Sequence, residues 1–245
     1  MIVNTENSPA NHTPRLPEHL QAAVASLRWV PLPPPPMQYK SLEEMRRQRT
    51  PPFDIEATIQ TLTELATVSH KEKRYLARIV TALLLLGHGC VDEAHDLVLG
   101  LSWRGDLPYA YGPTVNLEDD RIQTYACYAH CLVHRAEGPH ASEFNMTGYQ
   151  NSEFWAGLAM RDDPEAALPL EQIRQAVQAL PTAPPNFVEN ATRGLFEAWD
   201  PRVLSKLFVE NHENPTILEF ARQAALVELK LVIQHLLHIL GFTME

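Results

Sequence analysis

The chain has 245 residues, of which 45% are hydrophobic, and a formal net charge of −10 at pH 7. This length supports one large domain, or two small ones, with a sizeable apolar core. The acidic balance argues against a nucleic-acid partner, since phosphates are bound by clustered Lys and Arg.

The three cysteines, Cys90, Cys127 and Cys131, are too few for a disulfide framework. A reducing, cytoplasmic location is therefore expected. Residues 1–16 are rich in Asn, Pro and Thr and contain no apolar stretch, which predicts a disordered leader rather than a signal peptide. Residues 17–245 are predicted to form a single helical domain.

The first predicted helix follows Pro17 and buries Leu20, Val24 and Leu27, which lie at helical spacing. It stops at a proline-rich segment, which has five prolines between positions 31 and 36. Residues 31–38 are therefore predicted to be an extended polyproline arm. The arm either docks against the domain or serves as a ligand for a proline-binding module.

An amphipathic helix is predicted from about Asp54, and a second one from Glu72 to Leu86 is apolar nearly all round and ends at Gly87. The second helix should form the buried centre of the fold. Further helices are expected at about 90–100, 119–137, 150–160, 169–180, 187–198, 201–211 and 216–240. The chain is therefore predicted to be all-α, an irregular array or bundle of about nine to eleven helices.

The most apolar stretch, residues 231–240, includes Gln234, His235 and His238. It is shorter than the roughly 18 uncharged apolar residues that a membrane span requires. No membrane association is therefore expected.

Two segments carry histidines at helical spacing. His88, Asp92 and His95 lie at positions i, i+4 and i+7, and so do His130, His134 and Glu137. Residues at this spacing share one face of a helix. Histidines one turn apart can bind a single ion, with a carboxylate as a further ligand and one position left for water. A divalent metal, Zn, Mn or Fe, is the predicted cofactor.

Other interpretations of these residues remain open. The histidines can pack, cap the carbonyls at a helix end or pair with acids, or act as acid and base without a metal. Cys127, Cys131 and His134 also share a helical face and form half of a conceivable structural zinc site, although no second half is evident.

Two predicted connections are rich in aromatic and hydrogen-bonding residues, at 103–113 and at 138–155. Loops of this composition on a rigid helical scaffold are typical of small-molecule pockets. Glu143 and Glu137 are the candidate acid and base, and Arg135 and Arg104 could bind an anionic group of the substrate. The remaining catalytic candidates, which supply a phenol and an amide, are Tyr149 and Asn145.

The dipeptide His95-Asp96 resembles the one that names the HD-domain metal phosphohydrolases, which are also helical. This resemblance would add His70 and either Asp119 or Asp120 as ligands. In that family the dipeptide closes an apolar helix, whereas here the sequence Val-Asp-Glu-Ala precedes it. The likeness is therefore confined to two residues, and no family membership is inferred from it.

Together these patterns predict a small-molecule enzyme, a metal-dependent hydrolase or lyase whose site is formed by residues 87–96, 103–113 and 130–155. The alternative is a non-catalytic interaction or scaffold protein in which the histidines are structural. A small-molecule ligand is the expected partner, and self-association into a homo-oligomer is left open.

Overall fold

The computed structural model describes residues 14–31, 50–68, 72–103, 120–140, 146–161, 164–182 and 199–243. These ranges contain ten helices and no strand, which confirms the all-α prediction. An isolated β-bridge joins Arg15 to Thr243. The helices are α1 (Glu18–Ala25), α2 (Ile55–Leu65), α3 (Lys73–Gly87), α4 (Val91–Ser102), α5 (Asp120–Glu137), α6 (Gly148–Ala159), α7 (Pro164–Ala167), α8 (Leu170–Gln178), α9 (Arg202–Glu210) and α10 (Pro215–Ile239).

Side-chain caps set the start of several helices. The Asp54 carboxylate accepts the backbone N–H of Ala57 at 2.8 Å and begins α2 where the sequence predicted it. Thr147 and Gln150 form a capping box at the start of α6. Each cap satisfies backbone donors that have no partner within the helix, so these starts are encoded locally.

Helix α3 forms the centre of the fold, as its mostly apolar sequence predicts. Every residue from Leu76 to Gly87 is buried. The helix contacts α2, α4, α5 and α10. A helix surrounded by others on this many sides favours apolar side chains, which explains the run of four leucines at its end. The buried Arg78 donates to the carbonyl of Leu97 at 2.7 Å.

Helix α5 packs against α4 on one side and α6 on another. It ends at Gly138, whose φ of 69° is accessible to glycine at little cost. The chain then returns to start α6 at Gly148, so close to α5 that a Cβ atom there would lie 2.4 Å from the carbonyl oxygen of His134. This close approach brings α6 against the histidine-bearing end of α5.

Leu16 is the last residue of the predicted leader, but it is 2% exposed and belongs to the core. The described residues do not include residues 1–13, the predicted proline arm after Pro31 or the helix predicted at 187–198. None of the described helices is both long enough and apolar enough to cross a membrane.

Candidate metal centre

Three histidines from two neighbouring helices form a cluster. His95 comes from α4, and His130 and His134 come from consecutive turns of α5; one ring nitrogen of each lies within 4.8 Å of the others. His130 and His134 are buried, whereas the side chain of His95 is 16% exposed. The cluster therefore lies inside the protein, with its contact to solvent on the His95 side.

The three rings pack closely against one another. The rings of His130 and His134 are nearly parallel, at 17°, with their centroids 4.7 Å apart. The ring of His95 stands at 75° to His130 and 72° to His134, at 4.8 and 5.2 Å. His95 therefore meets the stacked pair on α5 edge-on.

The tautomer of His134 follows from its partner. Its Nδ1 lies 2.7 Å from Oε2 of Glu137, a carboxylate that is completely buried. If Glu137 is ionised, its oxygens can only accept, and Nδ1–H of His134 is the hydrogen-bond donor. In a neutral ring, the lone pair is then on Nε2. A carboxylate behind the histidine is a common way to orient a metal ligand and to raise its basicity.

The same argument applies to His130, whose Nδ1 lies 2.7 Å from the hydroxyl of Ser102. The hydroxyl itself donates to the carbonyl of Val98 at 3.0 Å. When the hydroxyl proton is used in this way, its oxygen accepts from Nδ1–H, and the lone pair of His130 is on Nε2 as well. The last residue of α4 therefore orients a histidine of α5.

His95 has a looser polar neighbour, because its Nδ1 is 3.9 Å from Oδ1 of the half-exposed Asp96. This distance is too long for a hydrogen bond. The carboxylate still favours positive charge at this side of the cluster through its field.

The cluster fits a divalent ion held by three imidazoles. Tetrahedral zinc about 2.0–2.1 Å from each nitrogen would hold the nitrogens roughly 3.3 Å apart. The observed nitrogens lie within 4.8 Å of one another. Side-chain movements of about 1 Å would bring them to the spacing of zinc ligands. Three histidines with a fourth position left for water are typical of catalytic rather than structural zinc.

An aromatic wall adjoins the cluster. The Trp155 ring stacks on His130 with centroids 3.9 Å apart and a tilt of 19°. Trp103 and Phe154 lie 5.5 and 5.3 Å from Trp155. Trp155 is 4% exposed, but Trp103 and Phe154 are 40% and 45% exposed. The wall therefore runs from a buried histidine to the surface.

The fold brings only part of the predicted metal set together. His88 does not share a helical face with His95, because Gly89 has a φ of 79° and α4 begins only at Val91. Its Nε2 lies instead 3.2 Å from the carbonyl of Ala23. Asp92 lies in the first turn of α4 and is not part of the histidine cluster.

Of the predicted catalytic residues, Glu137 lies beside the cluster as the partner of His134. Tyr149 is partly buried and stacks on Phe208 at 5.8 Å, and burial raises the pKa of its phenol. Arg104, Glu143 and Asn145 lie outside the described residues.

Arg135 has a different environment from the one expected for a substrate-binding arginine. Its guanidinium is 1% exposed, forms an ion pair with the fully buried Glu228 and donates to the carbonyl of Pro201 at 2.7 Å. Burial alone would lower its pKa, but the charge of Glu228 and the hydrogen bond to it, together with Cys131 and Tyr128, raise it. The structure therefore places this cation in an internal network.

This network includes residues that the sequence patterns did not connect. Tyr128 donates to Glu228 at 2.7 Å, and the indole of Trp199 donates to the same carboxylate at 3.1 Å. Cys131 lies 3.2 Å from the hydroxyl of Ser152, and burial raises the pKa of its thiol to about 11. Cys131 is thus a neutral core thiol, and Cys127, whose thiol lies 3.6 Å from the carbonyl of Ser102, does not join the histidine cluster either.

Of the residues that the HD-domain likeness would add as ligands, Asp120 is exposed at the start of α5 and is not part of the cluster. His70 and Asp119 lie outside the described residues. No protein-family model, curated protein or solved structure matches this chain. The histidine cluster is therefore the feature from which a function can be inferred.

Proposed function

We propose that the protein is a metal-dependent enzyme that acts on a small molecule, with a divalent ion held by His95, His130 and His134. The observation that carries this proposal is the convergence of three imidazole nitrogens within 4.8 Å. It is supported by the Nδ1 atoms of His130 and His134, which lie 2.7 Å from Ser102 and Glu137 and leave Nε2 of each ring for the ion.

The donor set favours particular metals. Imidazole nitrogen suits Zn and Fe, whereas Mn prefers oxygen ligands. Three neutral histidines also leave the full charge of the ion uncompensated by its direct ligands. Zinc or iron is therefore the proposed cofactor, and manganese is disfavoured.

The proposed reaction is hydrolysis. A bound divalent ion of this kind supplies an activated water at neutral pH and polarises a substrate oxygen. This chemistry would cleave a bond of the substrate by adding water across it. A lyase would use the same water as a base in an elimination.

The residues around the cluster have distinct parts in this scheme. Glu137 and Ser102 orient the histidines, since each is hydrogen-bonded to one ring. The partly exposed His95 marks the side from which substrate enters. The rings of His130 and Trp155 are buried, so they shield one part of the cluster from water.

Metal analysis of untagged protein tests this proposal. We expect close to one equivalent of zinc or iron per chain, and a cobalt-substituted form with the visible absorption bands of a tetrahedral site. His95→Ala and His134→Gln should lose the metal while keeping the helical circular dichroism spectrum. His212→Ala, at an exposed histidine, is the matched control.

Metal content that is absent from the wild type, or unchanged in the folded His95 and His134 variants, would contradict the proposal. Such a result would make the histidines structural and favour the non-catalytic interaction protein.

A further inference from the structure

Two exposed aromatic side chains continue the wall that begins at the metal centre. Trp103 directly follows α4, which also carries His95 and Ser102, and Phe154 precedes Trp155 in α6. Trp103 is thus held at the end of a helix that forms the site, and Phe154 and Trp155 are held by α6, which packs on α5. Their positions relative to the histidines are set by helix packing rather than by a loop.

The exposure of this pair is unusual for the protein. Among the described residues, the exposed large hydrophobic side chains are Leu65, Trp103, Phe154 and Val209. Trp103 and Phe154 lie in contact range of each other, with their centroids 6.4 Å apart. Single exposed apolar side chains are ordinary, but a neighbouring pair beside a cluster of metal-binding residues is a feature of binding sites.

The geometry of the pair suits a flat ring. The planes of Trp103 and Phe154 are tilted by 41°, and Trp155 stands at 64° and 80° to them. Aromatic rings prefer offset-stacked or edge-to-face contacts at about 4.5–7 Å between centroids. We call the three rings of Trp103, Phe154 and Trp155 the aromatic corner. A ligand ring above it can make an offset-stacked and an edge-to-face contact at once.

The charge of the proposed metal site further narrows the class of ligands that can bind. A divalent ion on three neutral histidines repels cationic ligands, which disfavours a cation–π role for the two tryptophans. The same ion attracts a carbonyl oxygen or an anionic group. The aromatic corner and the ion together therefore select a neutral or anionic molecule.

We infer that the substrate carries a planar aromatic ring that binds against Trp103 and Phe154, joined by a short linker to the carbonyl that the ion polarises. Aryl esters, aryl amides and related aromatic acyl compounds are the class that meets these conditions. The inference rests on the proposed metal-dependent function and adds to it the part of the substrate that is recognised.

Two metal-binding probes that differ only in the ring test the inference. Benzohydroxamate and acetohydroxamate share the chelating group, and their dissociation constants for the zinc-loaded protein are measured by calorimetry. We expect benzohydroxamate to bind about tenfold tighter or more. Phe154→Ala and Trp103→Ala should reduce this preference while leaving the metal content and the acetohydroxamate affinity unchanged.

Val209→Ala is the matched control, since Val209 is 49% exposed on α9, and it should leave both affinities as they are. Equal affinities for the two probes in the zinc-loaded wild type, or a preference that survives both aromatic variants, would overturn the inference while the metal site stands.

If no metal binds, the proposed function fails, and the aromatic corner is then tested alone with benzoate and cyclohexanecarboxylate. Benzoate binding that exceeds cyclohexanecarboxylate binding and disappears in Phe154→Ala supports the aromatic specificity. No difference between these two acids would overturn it.

Discussion

At the scale of single residues, the chemistry of the histidine cluster depends on which ring nitrogen carries a proton. Glu137 and Ser102 are the residues that can set this for His134 and His130, because each is buried and lies 2.7 Å from Nδ1. Either residue can be changed without removing a proposed metal ligand. Their variants therefore separate orientation of the ligands from ligation itself.

We expect Glu137→Gln and Ser102→Ala each to weaken zinc binding by about 10- to 100-fold, because the histidines lose the partners that orient them. Dissociation constants from competition with a chromophoric chelator provide the measurement. Thr81→Val is the control, since Thr81 is another buried hydroxyl bonded within its own helix, to Ala77 at 2.8 Å. Zinc affinity equal to that of the control in both variants would remove the orienting role.

At the scale of helices, the contact between α5 and α6 determines whether Trp155 reaches His130. This contact is closest at Gly148, where a Cβ atom would lie 2.4 Å from the His134 carbonyl oxygen and 2.7 Å from the Glu137 Cβ. Gly157, in the same helix, has no atom within 4 Å of its Cβ position. The two glycines thus provide a crowded and an open site on one element.

We expect Gly148→Ala to destabilise the protein by about 1–3 kcal/mol, because backbone atoms must move to accept the methyl group. Gly157→Ala should be neutral or stabilising by up to about 1 kcal/mol, since alanine is the better helix former. Urea unfolding followed by circular dichroism measures both. Equal effects of the two substitutions would contradict the close helix contact.

At the scale of the whole molecule, the ion pair between Arg135 and Glu228 links parts of the chain that are 93 residues apart. It joins α5 to α10, and the bond from Arg135 to Pro201 adds the start of α9. A pair with no exposed surface keeps its charges only if each stays compensated. The pair therefore ties the histidine-bearing helix α5 to the C-terminal half of the fold.

We expect Arg135→Met and Glu228→Gln each to lower the free energy of unfolding by about 3–5 kcal/mol, since each leaves an uncompensated buried group. The double variant should lose clearly less than the two single losses together. Denaturant unfolding of all four proteins gives the coupling. The exposed pair of Glu171 and Arg174 should show little or none, and strict additivity at Arg135 and Glu228 would show that the buried pair is not coupled.

Local patterns in the sequence were sufficient to predict most of the described helices. The mostly apolar stretch of α3 favoured burial on all sides, and the cap at Asp54 and the glycine after α5 marked helix ends. The i, i+4 spacing of His130 and His134 likewise placed both rings on one face. These features depend on residues within one or two helical turns, so the sequence itself encodes them.

The composition of the site was decided only by tertiary packing. His95 joins the cluster because α4 packs on α5, whereas His88, which the spacing grouped with it, is separated by the turn at Gly89. Ser102 is 28 residues from His130, and nothing in the local sequence pairs them. Such contacts arise where distant helix faces meet, and local periodicity determines each face but not its partner.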